Sequence, residues 1–186
     1  MGKLIYAINT SVDGFTEDAT GSFDFTEPDE EVHLFFNDMM RGVGTHLLGR
    51  RMYETMAVWE TDPSMAEGPA VLADFAAAWQ DSDKVVYSTT LGDPVTRRTR
   101  IVETFDADDV RALKEASPAD LSVSGPGLAA QALRAGVVDE VWLVLAPVAV
   151  GAGKPALPTD LRLHLELVDE RRFGNGAVHL AYRVLG

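Results

Sequence analysis

Two glycine-containing segments have the residue types that bind phosphate. Gly49, Arg50 and Arg51 directly follow an apolar run, and residues 125–128 follow a second short run of small and apolar side chains. A helix that begins at such a turn presents unpaired backbone N–H groups and the positive end of its dipole, and glycine lets a phosphate approach closely. Together the two segments could hold a pyrophosphate, whereas either one alone could be an ordinary turn. Neither has the spacing of a Rossmann or P-loop motif.

Three polar residues are spaced along one face of a predicted helix: Glu30, His33 and Asn37. If this face borders a ligand pocket, His33 could pass a proton, because imidazole titrates near neutral pH. The alternative is a polar face in contact with solvent. Asp13 is a second candidate for contact with a substrate, although an Asp before Gly is also common in turns. The four histidines are too dispersed to indicate a metal site.

The composition narrows the classes of function. The chain has 186 residues, a formal net charge of −13 and no cysteine. Disulfides, thiolate metal sites and cysteine nucleophiles are therefore excluded, so redox chemistry would need a bound cofactor. The negative charge argues against nucleic acid and membrane partners. We expect one domain over residues 1–186, in the cytoplasm, because no long apolar run or signal-like start is present.

Hydrophobic periodicity predicts strands and helices in alternation. The predicted strands are residues 3–11, 45–48, 84–88, 101–102, 121–124 and 141–146. The predicted helices are residues 30–42, a short helix ending near residue 59, and residues 70–79, 109–116 and 128–135. Residues 62–69 and 151–158 are predicted as long loops. The run 141–146 has no polar alternation, which predicts a strand buried on both faces of a largely parallel sheet.

The C-terminal segment has a different pattern. Leu163, Leu165 and Leu167 alternate with polar residues, a turn follows at 174–176, and alternation resumes from Val178 to Val184. This pattern predicts an antiparallel hairpin. The predicted fold class is therefore α/β, with a mixed, mostly parallel sheet, flanking helices and a C-terminal antiparallel hairpin.

Four segments, taken in order, resemble the dihydrofolate-reductase-like superfamily, which has a three-layer fold. They are residues 11–15, 48–54, 124–129 and 138–141. The closer resemblance is to the reductase domain of the bifunctional riboflavin-biosynthesis deaminase-reductase and to its stand-alone relatives. It covers nearly the whole chain and is most specific over residues 125–151. No deaminase segment with His and paired Cys is present.

The resemblance implies bound NADPH and suggests which residues contact it. The Gly-Arg turn would hold the cofactor phosphates, Ser88 and Thr89 would meet the adenosine 2′-phosphate, and Asn9 would offer backbone groups to the nicotinamide. The residues implied to bind the cofactor are Asn9, Gly49, Arg50, Arg51, Met52, Ser88, Thr89, Gly125, Pro126, Gly127 and Leu128. Dihydrofolate reductases have a cis peptide at the corresponding turn, so we expect a cis bond between Gly125 and Pro126. The trans alternative is that Pro126 simply begins a helix.

The resemblance also implies the reaction, which is hydride transfer to a C=N or C=O group of a small heterocycle. A riboflavin precursor of the 5-amino-6-(5-phosphoribosylamino)uracil type is the first candidate substrate, and a folate or other pteridine is the second. Two regions of the chain differ from these relatives. His33 stands where dihydrofolate reductases have an acidic residue, and Val123 and Ser124 stand where the riboflavin-pathway reductase has a Glu. A non-catalytic NADP-binding protein is therefore the alternative from another class, and a homodimer is expected because relatives commonly pair.

Overall fold

The computed structural model describes residues 1–186, apart from the side chain of Ala66. The strands are β1 (Leu4–Ser11), β2 (Phe15–Asp18), β3 (Val43–Gly49), β4 (Asp83–Tyr87), β5 (Thr99–Val102), β6 (Asp120–Ser124), β7 (Glu140–Ala146), β8 (Gly153–Pro155), β9 (His164–Arg172) and β10 (Val178–Leu185). The helices are α1 (Glu30–Gly42), α2 (Arg50–Met56), α3 (Val58–Thr61), α4 (Pro63–Glu67), α5 (Ala70–Asp81), α6 (Ala107–Ala116) and α7 (Pro126–Arg134), with a 3₁₀ turn at Asp24–Thr26. None of these helices is long and apolar enough to cross a bilayer.

Eight strands form one sheet in the order β5-β4-β3-β6-β1-β7-β10-β9. The first six strands of this order are parallel to one another, so their carboxyl ends meet at one edge of the sheet. β10 runs antiparallel to β7 and forms a hairpin with β9. The mixed, mostly parallel sheet with a C-terminal antiparallel hairpin is therefore confirmed. In such sheets ligands bind outside the carboxyl ends of the strands.

The two faces of the sheet have different coverings, because successive side chains of a strand point to opposite faces. On one face, α6 and α7 cover a continuous apolar core that includes Tyr6, Leu47 and Val123. On the other face, α1, α2 and α5 surround a smaller core with Met40, Leu48, Tyr53, Phe75, Trp79 and Val86. This second face is incompletely filled, and the candidate site lies there.

The turn before α7 differs from the predicted geometry. The expected cis bond between Gly125 and Pro126 is wrong, because no peptide bond in the backbone of residues 1–186 is cis. Gly125 instead has φ = 91°, a conformation that glycine adopts without steric cost, and Pro126 occupies the first turn of α7. The chain reversal therefore comes from the glycine, and proline contributes its preorganised helical φ.

Two segments predicted as loops contain regular structure. Residues 62–69 include α4, which begins with Pro63 after the Asp62 side chain accepts a hydrogen bond from the Ser64 N–H. Proline after a capping Asp is a helix-start signal. Residues 151–158 include β8, which pairs with β2 in a separate two-stranded sheet. This pairing brings Lys154 beside Glu17, and both residues border the site.

Candidate active site

The floor of the site consists of side chains in rows across the sheet. Residues paired between adjacent strands point to the same face. The deepest row runs from Lys84 through His46, Ser122 and Ile5 to Glu140, and its three central residues line the cavity. Rows nearer the carboxyl edge contain the pairs Leu48–Ser124 and Ala7–Trp142, followed by Asn9, Val144 and His179. The sheet thus presents both apolar and polar groups to one side.

A cavity of about 570 Å³ lies between these rows and helix α1. Aromatic side chains from separate elements form much of its wall, and the β1–α1 connection, from Thr16 to Pro28, borders its mouth. The aromatic and imidazole side chains in the lining are Phe23, His33, Phe35, Phe36, His46, Trp59, Phe75, Trp79, Trp142 and His179. Among the described residues, Arg51 and Lys154 are the arginine and lysine side chains that line the cavity. Its interior is therefore suited to a flat, largely apolar ring, and its cations lie on exposed side chains.

His33 and Asn37 lie inside this wall. Both residues are buried, at 8% and 1% exposure, so the alternative of a solvent-facing polar stripe is wrong for them. The Nδ1 atom of His33 lies 3.2 Å from Oδ1 of Asn37. The His33 ring meets Trp59 and Phe75 edge to face, at centroid distances of 5.8 and 5.4 Å. His33 is thus an oriented imidazole within an aromatic compartment.

Two further histidines line the cavity, and the sequence interpretation did not single them out. Nδ1 of His46 lies 2.6 Å from Oγ of Ser122, and its ring packs on Trp79. Burial, together with the nearby Lys84 ammonium, lowers the pKa of His46 to about 3, so this ring is neutral. His179 packs between Phe35 and Trp142, and burial lowers its pKa as well. No group of three or more His, Cys, Asp or Glu residues among the described side chains is placed to share a metal ion.

The segments predicted to bind phosphate lie side by side along the carboxyl edge. β4, β3, β6 and β1 are consecutive in the sheet, and they end near Ser88, Gly49, Gly125 and Asn9 respectively. A Cβ atom placed on Gly125 would lie 3.6 Å from Cβ of Met52, so Gly125 lies beside the first turn of α2. Neither α2 nor α7 has a side-chain cap at its N-terminus. Backbone donors at this edge therefore remain free to bind an anion.

The two arginines of the first turn diverge. Arg50 donates from Nε to Glu54 and from Nη1 to the Thr90 hydroxyl, each at 2.8 Å. The Ser88 hydroxyl accepts from the Thr90 and Leu91 N–H groups and forms the adjoining turn. Arg51 instead lines the cavity, and its Nη2 lies 3.8 Å from the Glu17 carboxylate. Thr90, which sequence reasoning missed, thus belongs to the edge group around Arg50.

The structure brings together most of the predicted site residues. Asn9, His33, Arg51, Met52, Gly125 and Pro126 line the cavity. Gly49, Arg50, Ser88, Thr89, Gly127 and Leu128 lie outside the lining but in the turns of the same edge, with Leu128 packed into the core. Asp13 lies apart from the lining. Its carboxylate accepts hydrogen bonds from the Val150 and Gly151 N–H groups, at 3.2 and 2.7 Å. The Ser11 hydroxyl and these backbone donors lower the pKa of Asp13, and the same contacts fix its carboxylate to the loop at residues 150–151.

Together the fold and site define an α/β protein with a cavity at the carboxyl edge of a mostly parallel sheet. The chain belongs to the RibD C-terminal domain family, whose model matches residues 2–179. This membership confirms the predicted relation to the reductase domains of riboflavin-biosynthesis enzymes.

Individual proteins show how far the similarity extends. The chain is 25% identical over 182 residues to the uncharacterized protein YyaP of Bacillus subtilis (strain 168), covering 97% of this chain and 94% of that protein. A solved protein of Shewanella sp. PV-4, whose name assigns it to riboflavin biosynthesis, superposes with a TM-score of 0.76 at 18% identity over 100% of both chains. The diaminohydroxyphosphoribosylaminopyrimidine deaminase/5-amino-6-(5-phosphoribosylamino)uracil reductase of Thermotoga maritima gives a TM-score of 0.65 at 12% identity, over 99% of this chain and 57% of that one. Both solved structures have the same fold as this chain.

Proposed function

We propose that the protein is an NADPH-dependent reductase that transfers hydride to a C=N or C=O group of a small heterocycle. The observation that carries this proposal is the continuity between the enclosed aromatic cavity and four adjoining turns of the carboxyl edge. A cofactor lying along the edge would bring its phosphates to the turns and its reactive ring to the mouth of the cavity. A substrate ring within the cavity would then face the hydride donor. Family membership supports the same class of reaction.

The residues at the edge fit a phosphorylated dinucleotide. The uncapped N–H groups at the start of α7, together with Arg51, would bind the pyrophosphate. Arg50 and Thr90, which already contact each other, would bind the adenosine 2′-phosphate next to Ser88. Asn9 would contact the nicotinamide amide at the end of β1. Because NADH lacks the 2′-phosphate, this arrangement favours NADPH.

NADPH would supply the hydride, and the chain would supply orientation, exclusion of water and a proton. Trp59, Phe75 and Trp142 would enclose the substrate ring. His33, as an imidazolium, would give its Nε2 proton to the substrate atom that gains electrons when the hydride adds to its neighbour. Lys154 is the lining cation left for a substrate phosphate once Arg51 binds the cofactor. This makes a phosphoribosylated riboflavin precursor the first candidate substrate, followed by a pteridine.

The test is oxidation of NADPH, followed by the loss of absorbance at about 340 nm. Dihydrofolate, other pterins, aminopyrimidines and 5-amino-6-(5-phosphoribosylamino)uracil-type compounds form the panel. We expect turnover with at least one member and a large loss of rate in His33→Phe. Binding of NADPH without turnover on the whole panel would favour the non-catalytic NADP-binding alternative. Absence of NADPH binding in calorimetry would refute both functions.

A further inference from the structure

A continuous chain of hydrogen bonds links His33 to the protein surface. Arg41 forms an ion pair with Asp74 of α5, and Asp74 accepts a hydrogen bond of 2.7 Å from Nδ2 of Asn37. Asn37 Nδ2 also donates to the Val71 carbonyl oxygen at 2.9 Å. The remaining amide atom of Asn37, Oδ1, faces Nδ1 of His33. The chain therefore joins α1 and α5 and ends at the cavity wall.

These contacts determine the orientation of the Asn37 amide. The Arg41 guanidinium beside Asp74 lowers the pKa of that carboxyl, so Asp74 is an ionised group that only accepts hydrogen bonds. A backbone carbonyl also only accepts. Both partners of Nδ2 thus require a donor, and the two N–H groups of the amide are fully used. Oδ1 is left as an acceptor.

The orientation of Asn37 in turn determines the tautomer of His33. Because Oδ1 of Asn37 can only accept, Nδ1 of His33 must carry a hydrogen. In the neutral ring, Nε2 then has a free lone pair. His33 lines the cavity between Trp59 and Phe75, so this lone pair is the part of the ring available to a ligand.

We propose that Asn37 is a positioning residue that holds neutral His33 as the Nδ1–H tautomer, and that the aromatic end of the cavity thereby selects a planar, uncharged heterocycle with a ring N–H donor. The chemistry of this inference rests on the proposed reductase function. Loss of the Nε2 proton from imidazolium leaves the tautomer that Asn37 stabilises. The substrate therefore meets the imidazolium as an acceptor, and after proton transfer its ring nitrogen becomes the N–H that donates back to Nε2 of neutral His33. Delivery of the proton therefore requires no rearrangement of the hydrogen-bond chain.

The tautomer is measured directly by two-bond ¹H–¹⁵N correlation spectra of the imidazole rings. The protein has four histidines, and His33→Gln identifies the relevant signals. In spectra recorded at pH 8, we expect the neutral ring of His33 to show Nδ1–H and an unprotonated Nε2. Asn37→Leu should abolish this preference. If Asn37→Leu does not fold, Asp74→Ser replaces it in the test, because position 74 is more exposed. This variant should release the Asn37 amide and weaken the tautomer preference. Asp38→Asn is the matched control, because Asp38 contacts Arg41 outside the chain and the tautomer should not change. A wild-type spectrum with hydrogen on Nε2 would refute the assignment.

The ligand class is tested with quinazolin-4-one and 3-methylquinazolin-4-one, which differ by replacement of a ring N–H with N–CH₃. Quenching of tryptophan fluorescence reports binding, because Trp59 lines the compartment. We expect the N–H compound to bind about tenfold more tightly, and His33→Phe to remove this difference. Equal affinities, or a difference that persists in His33→Phe, would refute the selection.

Binding does not depend on turnover, so the two proposals fail separately. Discrimination without NADPH oxidation would remove the reductase function alone. Turnover of a substrate from the panel without discrimination would remove this inference alone.

Discussion

The neighbouring residues Arg50 and Arg51 are expected to contribute differently to cofactor binding. Consecutive residues at a helix start point about 100° apart. Arg50 accordingly turns towards Thr90 and the end of β4, whereas Arg51 turns towards the cavity. If the cofactor lies along the carboxyl edge, Arg50 meets the 2′-phosphate and Arg51 meets the pyrophosphate. Arg50→Met should therefore change the preference between NADPH and NADH. Arg51→Met should weaken the binding of both cofactors to the same extent.

The magnitude follows from the present surroundings of Arg50. A charge-assisted hydrogen bond contributes about 1.5–3 kcal/mol. The Arg50 side chain is 47% exposed and already pairs with Glu54, so solvent screening and competition place its contribution at the lower end. About 1.5 kcal/mol corresponds to roughly a tenfold loss of NADPH affinity. NADH affinity should change by less than about twofold, because NADH has no group at this position.

Isothermal titration calorimetry of both cofactors with both variants tests the reasoning. Arg134→Met is the matched control, because Arg134 is also about half exposed and paired with a carboxylate, but lies at the other end of α7. It should leave both affinities unchanged. Equal losses for NADPH and NADH in Arg50→Met would refute the assignment of Arg50 to the 2′-phosphate. Unchanged affinities in both edge variants would place the phosphate site elsewhere.

Three further predictions concern stability and assembly. Because the pKa of His46 is lowered from 6.5 to about 3, the unfolded chain binds a proton that the native state does not. His46 should therefore lower the free energy of unfolding by about 1.4 kcal/mol per pH unit as the pH falls from 6.5 towards 3. Urea midpoints that fall as steeply with pH in His46→Gln as in the wild type would contradict this. Gly125→Ala should destabilise the protein by about 1–3 kcal/mol, because Gly125 has a positive φ that strains a residue with a Cβ atom. Gly127→Ala, where φ is not positive, should not destabilise it. Equal thermal midpoints for the two variants would argue against strain at Gly125. We also expect a homodimer, because edge strand β9 exposes Leu167 and Val168; light scattering that gives the chain mass at micromolar concentration would exclude it.

The elements with strong local signals could be predicted from the sequence. Helix α1 has the predicted bounds, because apolar residues recur at helical spacing and Asp29 caps its first turn. Strand β7 is covered on both faces as predicted, since Val141 packs in the core on one face and Val144 in the cluster on the other, and none of its residues is exposed. The position of Gly125 beside α2 also follows once β3 and β6 are adjacent, but no local sequence pattern predicts that the two strands are adjacent.

The interior of the site depends on contacts between residues far apart in the chain. Whether His33 and Asn37 face solvent or a cavity is decided by α5, which provides Asp74 and Val71 more than thirty residues later. The His46–Ser122 contact spans 76 residues and requires β6 to lie between β3 and β1. The difference between Arg50 and Arg51 likewise appears only when the neighbouring strands are in place. Single-sequence patterns carry no signal for such pairings.

The proposed function requires a protein with a net charge of −13 to provide a local site for an anionic cofactor. Here Glu17 lies 3.8 Å from Arg51 and 3.7 Å from Lys154, so one carboxylate from β2 partly neutralises both cations of the cavity. Ion pairs with exposed partners contribute about 0–1 kcal/mol each, whereas a charge-assisted hydrogen bond to phosphate contributes about 1.5–3 kcal/mol. Under the proposed function, replacement of Glu17 by phosphate oxygens at Arg51 would therefore be favourable. Because β2 borders the cavity, the same exchange would free Glu17 from α2 when the proposed cofactor binds.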